Sequence, residues 1–241
     1  MVSYRTIRHD YQSHPLIEDI LVDHYAKLIS PLFTRLFVKV GITPNRVTVL
    51  MMVAGMIGAT LFAIPQIACK VCGLVFIHLW YVLDCSDGET ARITKQFSKF
   101  GTEIDYTAHV VNHPLFNLAF AYSLVGMRRY NFQLVLFASI LSISAELVLR
   151  NLIAFFHIYK LKMSQEISKN GDWLFKRICI HLVNFFTVYP NFVLVFPLAY
   201  FVDYYSGTSF ALYYLFIQTA LSSLMAIWIS YKWSRMIVNV G

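Results

Sequence analysis

Charged residues are scarce in this chain. Only 14% of its 241 residues are Asp, Glu, Lys or Arg, whereas a soluble domain usually carries about 25%. No basic run is interleaved with exposed polar sequence, so we expect no nucleic-acid partner. The scarcity of charge argues against a soluble domain and favours a membrane protein.

Cysteine is also scarce, with four residues in the whole chain. Cys69 and Cys72 form a CxxC pair, but no second pair completes a zinc site, and the flanking sequence is apolar. Cys85 and Cys179 are interpreted as small packing residues. The cysteines therefore give little support to a redox or zinc centre.

The apolar leader of a signal peptide is missing as well. The first 15 residues are polar, whereas a signal peptide needs an apolar stretch near its start. We therefore expect the chain to insert through its own membrane helices.

Apolar residues dominate the sequence, at 58% of the chain. Six apolar segments have roughly the 20 residues that a bilayer core of about 30 Å requires. They lie at about 46–64, 71–91, 102–126, 132–157, 178–202 and 209–231. Pro190 and Pro197 are expected to kink the fifth. The sequence predicts an all-α, polytopic membrane protein with six transmembrane helices, in one domain over residues 1–241.

Residues 15–40 have a different pattern, with hydrophobic residues at helical spacing and charges in the gaps. This pattern predicts an amphipathic helix that lies in the membrane interface and is broken or kinked near Pro31. The alternative is a soluble helix packed on the protein. The transmembrane bundle then occupies about residues 46–231.

The distribution of Lys and Arg predicts the orientation in the membrane. With six spans, most of the twenty Lys and Arg residues fall on the side that holds both termini. By the positive-inside rule this side is cytosolic. The formal net charge of +7 fits a protein that faces anionic lipid or phosphorylated substrates.

The polar stretch DCSDGETARITKQFSKFGTEIDYTAH, at residues 84–109, is the chemical centre of the sequence. Asp84 and Asp87 share a helix face at i, i+3 near the end of the second span. Asp105 and His109 follow at i, i+4 on the third span. Because the link is short, we expect the two spans to be antiparallel neighbours whose acidic faces converge at the cytosolic side.

Three clustered aspartates in a membrane protein need a neutralising cation, because isolated carboxylates at membrane depth are costly. Oxygen ligands favour a hard divalent ion, Mg²⁺ or Mn²⁺, and such ions usually serve phosphate or pyrophosphate. Intramembrane aspartates also form ion pathways, so a cation-coupled transporter is an alternative. A prenyltransferase is disfavoured, since it needs two acidic motifs and only one is present.

The spacing resembles the motif of the CDP-alcohol phosphotransferase family, D-x2-D-G-x2-A-R-x8-G-x3-D-x3-D. The matching residues are Asp84, Asp87, Gly88, Ala91, Arg92, Gly101 and Asp105. Asn45 and Thr48 are similar to the start of the family's first span. The resemblance implies that an acceptor hydroxyl displaces CMP from a CDP-linked donor, in phospholipid or related polar-lipid biosynthesis.

The resemblance also implies roles for individual residues. Asp84, Asp87 and Asp105 would bind Mg²⁺ or Mn²⁺, and Asp105 would also be catalytic. The donor would contact Asn45, Thr48, Asp84, Asp87, Gly88, Ala91, Arg92 and Gly101. A homodimer is the implied assembly. Neither the donor nor the acceptor is identified by the sequence.

His109 is the departure from the motif, because the family has a fourth aspartate at this position. His109 could be the base that deprotonates the acceptor, since a neutral imidazole suits that role. It could also be a metal ligand. In the third interpretation catalysis is lost, and the protein only binds a CDP-linked donor or lipid.

Other polar residues in the apolar segments are weaker candidates. His113, one turn after His109, could relay a proton, hold the first ring or contact the acceptor. Arg150 is expected either to pair with Glu146 at i−4 or to bind a phosphate of the acceptor.

Residues of two further types have predicted structural roles. Glu89 and Glu103 are expected to face water or cap helix ends. Four aromatic residues near span ends are predicted interface anchors: Trp80, Tyr81, Trp173 and Trp233.

Overall fold

The computed structural model describes residues 2–12, 22–158, 186 and 189–238. The helices are α1 (Tyr4–Thr6), which continues into a π-helical turn (Ile7–Tyr11), α2 (Val22–Val40), α3 (Pro44–Ala63), α4 (Ile67–Thr94), α5 (Gly101–Gly126), α6 (Phe132–Ile158), α7 (Tyr189–Ser206) and α8 (Phe210–Val238). These residues contain no β-strand. The predicted all-α class is confirmed.

Four of the described helices, α3, α4, α6 and α8, are long and apolar enough to cross a bilayer. Helix α5 is equally long, but it buries several polar side chains: His109, Asn112, His113, Asn117 and Ser123. The predicted fifth segment, 178–202, lies partly outside the described residues, and α7 covers its later part, with Pro197 inside the helix. The structure therefore confirms an apolar helical bundle with four candidate spans, and the total of six remains a prediction.

Helix α3 occupies the centre of the N-terminal half and packs against both α4 and α5. It begins with Pro44 at a first-turn position, where the missing N–H has no intrahelical partner. Backbones come close at Gly73 of α4, where an added Cβ would lie 2.6 Å from the Phe62 backbone nitrogen. Only glycine permits this approach, which fixes α4 against α3.

Helix α2 is amphipathic, as predicted, and it also packs on the protein. Its outer face exposes Leu28, Leu32, Leu36 and Val40, and its inner face buries Ala26, Ser30, Thr34 and Phe37. The helix is not broken at Pro31, since it continues through this residue to Val40, and the alternative of a kink there stays a prediction. Residues 13–21, the start of the predicted interfacial helix, lie outside the described part of the chain.

Large aromatic side chains fill the centre of the bundle. The fully buried ones are Phe62, Trp80, Phe116, Phe120, Phe192 and Phe196. The prediction of Trp80 as an interface anchor is therefore wrong, since its ring packs edge-on against Phe116 in the core. Trp233 stacks on Phe155, Tyr81 is half-buried, and Trp173 lies outside the described residues.

The contact at Gly73 gives a test of this packing. We expect Gly73→Ala to destabilise the protein by about 1–3 kcal/mol, because overpacking forces the α3 and α4 backbones apart. Gly126→Ala is the matched control, since an added Cβ there meets nothing within 4 Å. Thermal unfolding in detergent measures both, and equal midpoints for the two variants would contradict the close α3–α4 approach.

Candidate active site

Three motif side chains from α4 and α5 meet beside α3. The Nε2 atom of His109 lies 3.1 Å from Asp84 Oδ1 and 3.3 Å from Asp105 Oδ1. One ligand atom from each residue falls within 4.8 Å of the other two. The predicted convergence of the acidic faces therefore takes place. The expectation that α4 and α5 are direct packing neighbours is wrong, since each of them packs mainly on α3.

The three donor atoms suit a hard divalent cation. Two carboxylate oxygens and one imidazole nitrogen are ligands that Mn²⁺ accepts, and Mg²⁺ takes carboxylates with water completing its shell. At metal–ligand distances of about 2.1 Å, adjacent donors of an octahedron are roughly 3 Å apart, close to the separations from His109. Among the described residues no Lys or Arg forms an ion pair with Asp84 or Asp105.

Asp87, the remaining predicted ligand, is not part of this group of three. Its Oδ2 accepts a hydrogen bond of 2.8 Å from the Thr48 hydroxyl of α3. The structure thus brings together Asp84, Asp105 and His109, and it holds the carboxylate of Asp87 against the predicted donor-binding residue Thr48.

Four of the other predicted donor-binding residues lie in two pairs, Gly88 with Arg92 and Gly101 with Asn45. A Cβ added at Gly88 would lie 3.2 Å from Nη1 of Arg92, so the guanidinium covers that glycine. The Nε atom of Arg92 donates to the carbonyl of Tyr11. Gly101 faces Asn45, whose Oδ1 would lie 3.8 Å from an added Cβ. Ala91 is half-buried on α4.

A second set of polar residues continues from His109 into the bundle. The Nδ1 atom of His109 lies 3.2 Å from Nε2 of His113, and Nδ1 of His113 lies 3.0 Å from Glu146 Oε1. The expected ion pair is present, with Arg150 Nε also 3.0 Å from Glu146 Oε1. The sequence pattern indicated the pairing of Arg150 with Glu146, but not the contact of Glu146 with His113 on another helix.

Aromatic rings enclose these two imidazoles. His113 stacks on Tyr189 of α7 with ring centroids 3.7 Å apart. Trp80 meets both His109 and His113 edge-on, at 5.6 and 5.8 Å. Sequence reasoning missed Tyr189 and misplaced Trp80, because an aromatic residue near a span end has the same sequence signal whether it faces lipid or a polar site.

Glu89, which was expected to face water or cap a helix, is instead only 1% exposed. Its carboxylate accepts hydrogen bonds from Gln12 (2.9 Å), Ser30 (2.5 Å) and Thr34 (2.5 Å). The partners lie far earlier in the chain, so no local pattern indicated them. Glu103 is exposed in the first turn of α5, as predicted.

The family is identified by comparison with known proteins. The CDP-alcohol phosphatidyltransferase model matches residues 41–229, which is most of the chain. The chain therefore belongs to this family and is a CDP-alcohol phosphotransferase, which confirms the resemblance of the motif. A comparison with curated proteins found no match.

Solved structures support the same fold. The chain is similar to the phosphatidylinositol phosphate synthase PgsA1 of Mycobacterium tuberculosis with CDP-DAG bound, with a TM-score of 0.61, 18% identity, and coverage of 84% of this chain and 92% of that one. For the structure of the same enzyme with manganese and citrate, the TM-score is 0.62 and the identity is 16%. The match covers 84% of this chain and 88% of that one. At these identities the likeness concerns the fold.

The buried Glu89 makes a testable link between the N-terminal segment and the motif helix. We expect Glu89→Ala to destabilise the protein by about 1–3 kcal/mol, because three buried donors lose their acceptor. Limited proteolysis should also cut near Gln12 sooner. Glu103→Ala removes an exposed carboxylate and should leave the unfolding midpoint unchanged; the same result for Glu89→Ala would refute the link.

Proposed function

We propose that this protein transfers a substituted phosphate group from a CDP-linked donor to an acceptor hydroxyl, in a reaction that depends on Mg²⁺ or Mn²⁺. The observation that carries the proposal is the convergence of Asp84, Asp105 and His109 within the family motif. A bound divalent ion would neutralise the donor pyrophosphate and stabilise the charge that builds on the leaving CMP.

The residues of the motif have different roles in this proposal. Asp84, Asp105 and His109 hold the ion, and Asp87, fixed by Thr48, completes the negative pocket above α3. Arg92 is oriented by the Tyr11 carbonyl and lies over Gly88, where its guanidinium can bind a donor phosphate. Asn45, Ala91 and Gly101 line the approach of the nucleotide.

In the reaction, the acceptor oxygen forms a bond to the β-phosphorus, and the bond from that phosphorus to the CMP oxygen breaks. The electron pair of the broken bond leaves with CMP. Asp105 takes the hydroxyl proton, since its side chain is 44% exposed and reachable from water. His109 acts as a ligand rather than as a free base, because its Nε2 already faces both carboxylate oxygens.

The donor in this proposal is a lipid-linked one, CDP-diacylglycerol. A cavity of about 230 Å³ opens between α3 and α5 directly beside the motif. Its walls include Val49, Met52, Ile104 and Ala108, together with the polar residues Glu103, Thr107 and Thr48, the last of which contacts Asp87. Such a mainly apolar groove suits an acyl chain, and PgsA1 of the similar fold binds CDP-DAG.

For the acceptor, Arg150 is the stronger of the two predicted contacts. His113 is 1% exposed and has polar neighbours at both ring nitrogens, so it offers no surface to a substrate. The guanidinium of Arg150 has five donors, and its contacts with Glu146 and His113 involve Nε and Nη2. Its Nη1 group forms no hydrogen bond within the described part of the chain and can bind an anionic acceptor.

The proposed topology has six spans, with α5 and the 178–202 segment added to the four candidate spans. The distribution of Lys and Arg supports a cytosolic position for both termini and for the site. A homodimer in the membrane is the assembly that the family resemblance implies.

Release of CMP by the purified full-length protein tests the reaction. We expect release with CDP-diacylglycerol and a suitable acceptor, in the presence of Mg²⁺ or Mn²⁺, and none after chelation. Asp105→Asn should abolish it, because the variant loses both a ligand charge and the proton acceptor. Asp10→Asn, which changes an exposed carboxylate outside the motif and the groove, should retain activity.

Three outcomes would contradict this proposal. Release with soluble CDP-alcohols alone would reject the lipid-linked donor. Full activity of Asp105→Asn would reject the roles of that carboxylate. Absence of release with every donor and acceptor, in wild type and in His109→Asp alike, would reject the transferase activity.

A further inference from the structure

A line of four buried or half-buried polar side chains runs from His109 on α5 to Arg150 on α6, and the family motif requires none of the last three. His109 Nδ1 lies 3.2 Å from His113 Nε2, His113 Nδ1 lies 3.0 Å from Glu146, and Glu146 lies 3.0 Å from Arg150. We infer that His113 and Glu146 are positioning residues, which hold the His109 ring so that Nε2 faces Asp84 and Asp105. The inference rests on the proposed function.

His109 needs such support because its side chain has two similar edges. A half-turn of the ring about its bond to Cβ would exchange the positions of a nitrogen and a carbon. The contact of Nδ1 with His113 makes one of these orientations preferable, and Trp80, perpendicular to the ring at 5.6 Å, limits its tilt. With Nδ1 held, Nε2 is directed at the two carboxylates.

His113 is in turn fixed more firmly than an ordinary buried histidine. Its ring stacks on Tyr189, and the hydroxyl of Tyr189 donates to the carbonyl of His113 itself. Glu146 Oε1 approaches its Nδ1, and Arg150 binds the same oxygen. The ring of His113 therefore has a defined position from which to accept a hydrogen bond.

The direction of the hydrogen bonds follows from this arrangement. If His113 donates Nδ1–H to Glu146, its Nε2 can accept Nδ1–H from His109. The Nε2 atom of His109 then keeps its lone pair, which is the form that a cation binds. In the alternative, Arg150 Nε, which lies 3.0 Å from His113 Nδ1, donates to that atom. The directions of the hydrogen bonds then reverse, so that Nε2–H of His109 donates to the carboxylates. Only the first order would leave His109 Nε2 able to bind a cation.

The line also explains how a histidine replaces the fourth aspartate of the motif. With His109 in place of an aspartate, the cluster has one carboxylate fewer. The carboxylate of Glu146 lies on the other side of His113, two contacts away from the cluster. Metal-ligating histidines usually donate their second N–H to a partner that orients the ring and raises its basicity. Here the partner is a second imidazole, and the carboxylate stands behind it.

Binding of Mn²⁺ alone to the full-length protein in detergent tests the inference. Electron paramagnetic resonance gives the affinity, and the electron-spin-echo modulation from ¹⁴N reports whether a histidine ligates the ion. Wild type should show ¹⁴N modulation. His113→Phe, which preserves a ring against Tyr189 and Trp80, should bind Mn²⁺ about 10- to 100-fold more weakly and lose the modulation.

A conservative variant and a distant one complete the experiment. His113→Gln retains a polar end that can reach His109 and should recover a large part of the affinity and the modulation. Lys70→Met removes another buried polar contact, since Lys70 donates to the Phe62 carbonyl and to Ser123. It lies outside the site and should leave Mn²⁺ affinity and ¹⁴N modulation unchanged.

A second background separates positioning from a general loss of structure. In His109→Asp, the new carboxylate does not need an imidazole behind it, so adding His113→Phe should change Mn²⁺ affinity less than about threefold. An equal loss in both backgrounds, or wild-type affinity and modulation in His113→Phe, would overturn the inference. So would wild type that binds Mn²⁺ without ¹⁴N modulation.

These results are distinct from a failure of the proposed function. The positioning role fails alone if wild type binds Mn²⁺ and releases CMP while His113→Phe behaves identically. Both proposals fail if wild type neither binds Mn²⁺ nor releases CMP in a metal-dependent reaction.

Discussion

The mutual repulsion of carboxylates in an apolar bundle is the constraint on which the site depends. Asp84 and Asp105 point at one imidazole nitrogen from different helices, and Asp87 lies nearby on Thr48. Ionised carboxylates at this depth are unfavourable unless a cation or hydrogen bonds compensate them. If stability were the only requirement on the bundle, apolar side chains would be expected at these positions. We propose that this charge serves to bind a divalent ion and a phosphate.

Such a site requires that its helices be held rigidly, and two types of contact provide this. Close backbone approach at Gly73 fixes α4 against α3. Elsewhere on α4, the carboxylate of Glu89 accepts hydrogen bonds from Gln12, Ser30 and Thr34. These bonds fix α2 and the N-terminal segment to α4, the helix that carries the first part of the motif. The amphipathic α2 thereby has its exposed leucines on one face and hydrogen bonds to α4 on the other.

The local spacing of the sequence was sufficient to predict helices α2 to α8 within the described residues and the convergence of Asp84, Asp105 and His109. It was insufficient wherever a partner came from a distant part of the chain. Glu89 is bound by residues that precede it by 55 to 77 positions, so its burial had no local signal. Trp80 was misassigned because hydropathy does not distinguish lipid-facing from inward-facing aromatics. The polar residues that line α5 also weaken its hydropathy, which is why composition alone marks four spans.

The chemistry proposed for the site depends on the position of the metal ion. Anomalous diffraction from crystals of the full-length protein grown with Mn²⁺ and collected near the manganese edge would locate the ion directly. The account predicts one peak about 2.0–2.3 Å from a carboxylate oxygen of Asp84, one of Asp105 and Nε2 of His109. A peak bound only by aspartates, with the His109 ring turned away from it, would contradict the account.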